Sequence, residues 1–230
     1  MLFGASFFNN RTPLIRGTFY FGETVKMKKE NNKKSNVNIR ALCVTGIMSA
    51  LGALLMLVEF PLPMLIPAFI KMDFSELPAL ITTYAFGPVY GVGVCFLKNV
   101  LHLISGSTMG IGELSNFVLG SVLVIIAGLF YKKNKTKKSA VLGAFIGSLV
   151  MAAVSVFTNY FIVYPLYCKV LGLTMEAIIG MYKEILPSVG GLFTALLIFN
   201  LPFTFAKGMI DTLLCALIYK PVSPLLHGRK

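Results

Sequence analysis

From Ala41 to Val58 the chain runs for 18 residues without a charged side chain. At ~1.5 Å per residue this is about 27 Å of helix, close to the ~30 Å hydrocarbon core of a bilayer. Long apolar runs return at Leu114–Tyr131, Ala140–Tyr164 and Val189–Tyr219, and the positive charges gather beside them. Of 21 Lys and Arg, eight lie in residues 11–40, five between Lys132 and Lys138, and three after Tyr219. Basic clusters that flank apolar runs mark cytoplasmic segments, so the net charge of +12 describes topology and not a nucleic-acid surface. With 56% apolar and 13% charged residues, the chain reads as an integral membrane protein with one membrane domain.

Parity fixes how the remaining apolar stretch divides. Phe74–Ile104 is too long for one span and carries Gly87-Pro88 near its middle. If the N-terminal cluster and the Lys132–Lys138 cluster are both cytoplasmic, the spans between them must be even in number. A break at Gly87-Pro88 satisfies this. The expectation is an all-α membrane protein with six transmembrane helices, both termini cytoplasmic, and structured outer loops over a ligand pocket. Residues 1–40 form a basic cytoplasmic tail, 41–222 the substrate-binding membrane domain and 223–230 a second tail. Residues 1–26 read as an extension, because Met27 opens a lysine-rich segment that looks like an ordinary start.

The most unusual stretch is Glu59–Gly87, which crowds Glu59, Lys71, Asp73, Glu76 and several prolines into a greasy chain. Topology places Glu59–Asp73 outside as a structured loop, together with Ser105–Glu113 and Leu166–Pro187. Lys71 and Asp73 either meet the ligand or pair with each other. Lys98 and Lys207 fall inside spans, where an ionisable group costs at least ~2.5 kcal/mol and faces a cavity, a partner or a ligand. Lys207 has Asp211 one turn later, so an intrahelical pair competes with a ligand-facing role. Asn159, Tyr164, Asn200 and Thr204 add hydrogen-bonding groups near the outer ends of the last helices, and Pro202 frees a carbonyl there. Gly46, Ala50 and Ala53 line one face of the first span and admit a closely packed helix, from this chain or from another. Cys43, Cys95, Cys168 and Cys215 are scattered, and His102 and His227 are isolated, so neither a disulfide framework nor a metal site is expected. No nucleophile sits beside a base, and the glycine-rich Ser105–Glu113 lacks the context of a nucleotide loop. It reads as a tight turn, with Glu113 favouring the start of the fourth helix.

Phe60-Pro-Leu-Pro, Lys71-Met-Asp-Phe-Ser-Glu-Leu-Pro, Phe86-Gly-Pro-Val-Tyr-Gly, Lys98-Asn-Val-Leu-His, Gly112-Glu-Leu-Ser-Asn-Phe, Asn159-Tyr160 with Pro165-Leu-Tyr, and Pro202-Phe-Thr-Phe-Ala-Lys-Gly occur in this order. The ordered set, over about residues 38–222, resembles the riboflavin-specific S component of energy-coupling factor (ECF) transporters. The resemblance implies a non-enzymatic protein that captures riboflavin outside. It also implies docking through the first helix onto an ECF module of a transmembrane coupling subunit and two ATPases. Riboflavin is then the transported substrate, ATP is used only by the partner subunits, and no cofactor is needed. It carries the ligand roles to Asn159 and Lys207, with Phe69, Lys71, Met72 and Asp73 from the loop; Thr204 stands where relatives have asparagine. It turns Gly46, Ala50 and Ala53 toward a partner, with Ser49 and Ala53 as the alternative register. An S component for thiamine or biotin and a stand-alone proton-coupled carrier are the competing readings; an intramembrane enzyme is more distant.

Overall fold

The computed structural model describes residues 38–106 and 108–227, with side chains described through Tyr219. Residues 1–37, which include the suggested extension, and the last three residues lie outside the described residues.

Helix α1 (Ile39–Leu57) begins where the Asn38 side chain accepts a hydrogen bond from the Ala41 amide at 3.2 Å, which satisfies one of the amides that a helix start leaves unpaired. Its inner face is Ala41, Thr45, Ser49, Gly52 and Met56. Thr45 and Ser49 donate their hydroxyls back to the carbonyls of Ala41 and Thr45 at 2.8 and 2.7 Å, so neither polar group needs water. The outer face exposes Ile47, Leu51 and Leu54, as a helix in lipid does.

A two-rung antiparallel ribbon follows, β1 (Phe60–Pro61) against β2 (Lys71–Met72), with Phe60 opposite Met72 and Pro61 opposite Lys71. It returns the loop to the bundle at α2 (Glu76–Phe86). Gly87, at φ +109°, then breaks the helix and Pro88 starts α3 (Pro88–His102); glycine tolerates that φ and proline suits a first helical position. The expected break at Gly87-Pro88 is thus observed. Helix α3 folds back against α2 because Gly91 has no side chain: a Cβ there would meet the Thr83 hydroxyl at 1.8 Å. Every residue from Glu76 to Thr83 is buried, since α2 packs against α1, α3, α4 (Ile111–Lys133) and α9 (Leu201–His227).

Among the described residues, four helical segments are long and apolar enough to cross a membrane: Ile39–Leu57, Ile111–Lys133, Lys137–Val170 and Leu192–Tyr219. Helices α2 and α3, of 11 and 15 residues, are about 16 and 22 Å long, short of a full hydrocarbon core.

The third long segment extends beyond its expected end at Tyr164. It joins α5 (Lys137–Thr158) to α6 (Tyr164–Val170) through a π-helical turn at Asn159–Val163. The last segment repeats the device: α8 (Leu192–Ala195), a π turn at Leu196–Asn200, then α9. In each case the turn ends two residues before a proline, Pro165 or Pro202. Proline supplies no amide to the carbonyl four residues earlier and crowds it; a local widening lets the helix continue, where the sequence reading had only a kink. Between them, α7 (Met175–Ile185), capped by the Thr174 side chain, packs against α6 and α8.

The buried apolar residues form two clusters. One, including Leu80, Val94, Leu123 and Met151, holds the bundle; the other, including Val163, Tyr164, Tyr167, Ile178 and Tyr182, holds the cap made by α6 and α7.

Candidate functional site

A cavity of about 320 Å³ draws its walls from both clusters and from the β1–β2 loop. Its charged side is built by the loop's return into α2. The Asp73 carboxylate accepts from the Ser75 amide at 2.9 Å and the Ser75 hydroxyl at 2.5 Å through one oxygen, and from the Lys207 ammonium at 2.7 Å through the other. Lys98, fully buried, donates to the Ser75 hydroxyl and to Glu76, each at 2.6 Å. Both lysines inside apolar segments thus find a carboxylate at the loop–α2 junction, as buried charges require. Burial opposes ionisation of Asp73. The ammonium groups of Lys207 and Lys98, with the hydrogen bonds from Lys207 and Ser75, outweigh it and hold the carboxyl well below the usual range.

These contacts decide the two pairings that the sequence left open. Lys207 reaches Asp73 on the loop and not Asp211 on its own helix, whose two carboxylate oxygens are buried without hydrogen-bond partners. Lys71 pairs with Glu59 at the loop's base, not with Asp73.

The aromatic side is equally ordered. Phe69, at the far end of the loop, meets Tyr164, Tyr167 and Tyr182 edge-on, with centroids 5.9, 6.3 and 6.4 Å away, the preferred geometry for aromatic pairs. Behind it the Asn200 amide donates to the Tyr164 hydroxyl at 3.2 Å, Tyr164 and Tyr182 share a 2.5 Å bond, and Tyr182 donates to the Asn200 carbonyl at 2.5 Å. With Tyr164 as donor to Tyr182 the three groups close a ring in which each gives and accepts once.

Of the ligand candidates, Phe69, Lys71, Asp73, Asn159, Tyr164, Asn200, Thr204 and Lys207 line the cavity. Met72 is buried in β2 and is not among the lining residues. Asn200 has both ends of its amide committed to the tyrosines, whereas no side-chain hydrogen bond within the described residues engages Asn159. The sequence reading missed Glu76, His102, Thr108, Glu113 and Asn116, all of which face the cavity. Glu76 stood in the loop motif and Glu113 at a helix start, each already explained locally; the available signal was the polar cluster itself, recurring at helix ends. On α1, Gly46 and Ala50 are exposed, Ala53 is half-buried, and Ser49 faces inward, bonded to Thr45. Cys95, whose Sγ lies 3.5 Å from Glu76, is not among the lining residues, and Glu76 is committed to Lys98.

Apolar helices around a polar and aromatic cavity, closed by a loop pinned to the helix ends, define a membrane protein that binds a small molecule rather than transforming it. Residues 40–219 match the family described as ECF transporter, substrate-specific component, and the chain belongs to that family. It is therefore a multi-pass protein of the bacterial membrane and a transport subunit, not an enzyme. It is 35% identical to the riboflavin transporter RibU of Streptococcus thermophilus, over 82% of this chain and 85% of that one. It is 30% identical to RibU of Staphylococcus aureus, over 87% and 96%, and 29% identical to the riboflavin transporter FmnP of Bacillus subtilis, over 84% and 97%. A solved structure described as the S component of a bacterial ECF transporter superposes with a TM-score of 0.64, at 29% identity, over 82% of this chain and 98% of that one.

Proposed function

We propose that the chain is the riboflavin-binding S component of an ECF importer. It captures riboflavin on the outer side and delivers it with an ECF module composed of a transmembrane coupling subunit and two ATPases. The observation that carries the reading is the cavity. It sets the Phe69–Tyr164–Tyr167 aromatic wall, suited to a flat heterocycle, beside Asn159, Thr204 and Lys207, which supply donors and acceptors for ring carbonyls and imide. No chemistry and no cofactor are required of the chain; ATP is spent by the partner subunits.

In this reading α2 and α3 serve as shortened second and third spans. Six crossings keep both termini and the Lys132–Lys138 loop in the cytoplasm, and the cavity opens outward beneath the β1–β2 loop. The partner meets the outward stripe of α1 at Gly46 and Ala50, a register supported by the inward position of Ser49.

The deciding experiment is a fluorescence titration of the purified chain. Riboflavin emission should be quenched with saturable, one-to-one binding, and Asn159→Ala should weaken it about tenfold with the fold intact, the equivalent of one lost hydrogen bond to a polar ligand. Wild-type protein that leaves riboflavin unquenched while binding thiamine or biotin overturns the assignment.

A further inference from the structure

Glu113 is the best-supported carboxylate in the cavity that holds no lysine. His102, at the end of α3, presents Nδ1 to Glu113 Oε1 at 2.9 Å, and Thr108 donates to Oε2 at 2.8 Å. Thr108 also accepts from the Gly112 amide at 3.1 Å, which fixes the turn before the carboxylate. Gly106 closes the back: a Cβ there would lie 2.0 Å from Oε1. The end of α3, the loop and the first turn of α4 therefore converge on one acid that is 5% exposed and lines the cavity together with His102 and Thr108.

We propose that Glu113, positioned by His102 and Thr108, is a specificity-determining subsite that accepts hydrogen bonds from the hydroxyl chain of the ligand. The inference rests on the riboflavin reading and adds an orientation to it. An ionised carboxylate offers about four acceptor positions and no donor; two are occupied, and the remainder require donors from the cavity. A flavin has donors in two places, the ring imide and the ribityl hydroxyls. The imide N–H lies between two carbonyls, so a carboxylate facing it sets its second oxygen against a carbonyl oxygen. An amide, with donor and acceptor side by side, suits that edge, and Asn159 provides one that is uncommitted. Hydroxyls have no such conflict. The polyol chain belongs at Glu113 and the dione edge at Asn159.

Riboflavin and lumiflavin, which carries a methyl group in place of the ribityl chain, are titrated against the wild-type chain, Glu113→Gln and Thr108→Val. Glu113→Gln is expected to weaken riboflavin about tenfold or more, in line with a hydrogen bond to a charged group, with lumiflavin affinity changed less than about twofold on the same scale. Thr108→Val keeps the side-chain shape and should give a smaller loss in the same direction, so it carries the test if Glu113→Gln does not fold. An equal loss for both ligands means that the carboxylate serves the ring or only the cavity's shape, and overturns the subsite; so does riboflavin affinity unchanged in both variants. A wild-type chain that does not bind riboflavin overturns the functional reading itself, a result separate from either of these.

Discussion

Lys207 had two carboxylates within reach of its sequence context and takes the one that is 134 positions away. Asp211 is nearer along the helix, but Asp73 is held in place by the Ser75 amide and hydroxyl, so its second oxygen is already oriented for the ammonium. Because both partners are buried, removing one should cost more than removing both. Lys207→Met is expected to destabilise the ligand-free protein by about 3 kcal/mol, and the added Asp73→Asn to recover most of it, as read from a double-mutant cycle of thermal melts. The pH dependence follows from the lowered Asp73 pKa. Its stabilising contribution is complete above the unfolded carboxyl value of about 4 and is lost only as pH falls below that. Hydrogen-exchange protection of Ile70–Phe74, corrected for intrinsic rates, should therefore stay level from about pH 8 to about pH 5. A fall within that window assigns the loop's closure to another group. The reacting types at this scale, Lys207 and Asn159, were legible because polar groups stand out in apolar runs. The partner of Lys207 was not, because nothing local distinguishes Asp73 from Asp211.

At the scale of elements, the break at Gly87-Pro88 could be read directly, since the two residues specify it by backbone preference alone. The two π turns could not. Pro202 announced a freed carbonyl, but whether a helix kinks, stops or widens depends on what its neighbours need, and here each turn puts an asparagine on the cavity wall. The cap helix α7 falls within Leu166–Pro187, expected as a loop. Its attachment runs through Ile178 and Tyr182, both buried, and through the Tyr182 hydroxyl on Asn200. Burial pushes the Tyr182 phenol above its ordinary value, so it remains a donor at neutral and mildly alkaline pH. Tyr182→Phe keeps the ring and strands the Asn200 carbonyl. It should cost about 1–3 kcal/mol and raise hydrogen exchange across Met175–Ile185, while exchange in α4 is unchanged. Equal acceleration in both helices would mean that the hydroxyl supports the whole bundle and not the cap.

For the whole molecule, charge clusters and parity led to the division of Phe74–Ile104 at Gly87-Pro88, which the structure shows. They could not single out α2 as the centre of the bundle, because a helix buried on all sides by protein and a helix bathed in lipid have the same apolar composition. On the proposed function, the two faces of α1 divide the labour. Inward, Gly52 leaves room for Lys98 and the Ser75 carbonyl, which a Cβ would meet at 3.3 and 3.4 Å, so this face touches the charged network beside the cavity. Outward, Ala50 is exposed and a Cβ added at Gly46 meets nothing within 4 Å. Substitutions on the two faces should separate binding from delivery. Ala50→Leu adds bulk on a face that the described residues leave exposed, so riboflavin titration of the purified protein should match wild type, while uptake by cells that supply the ECF module falls at least about tenfold through the lost close approach of helices. Gly52→Leu forces bulk against Lys98 and should lower thermal stability and flavin affinity before any partner is involved. If Ala50→Leu leaves uptake intact and a large residue at Gly46 does the same, the partner docks on another face, and α1 contributes to transport only through its inner contacts.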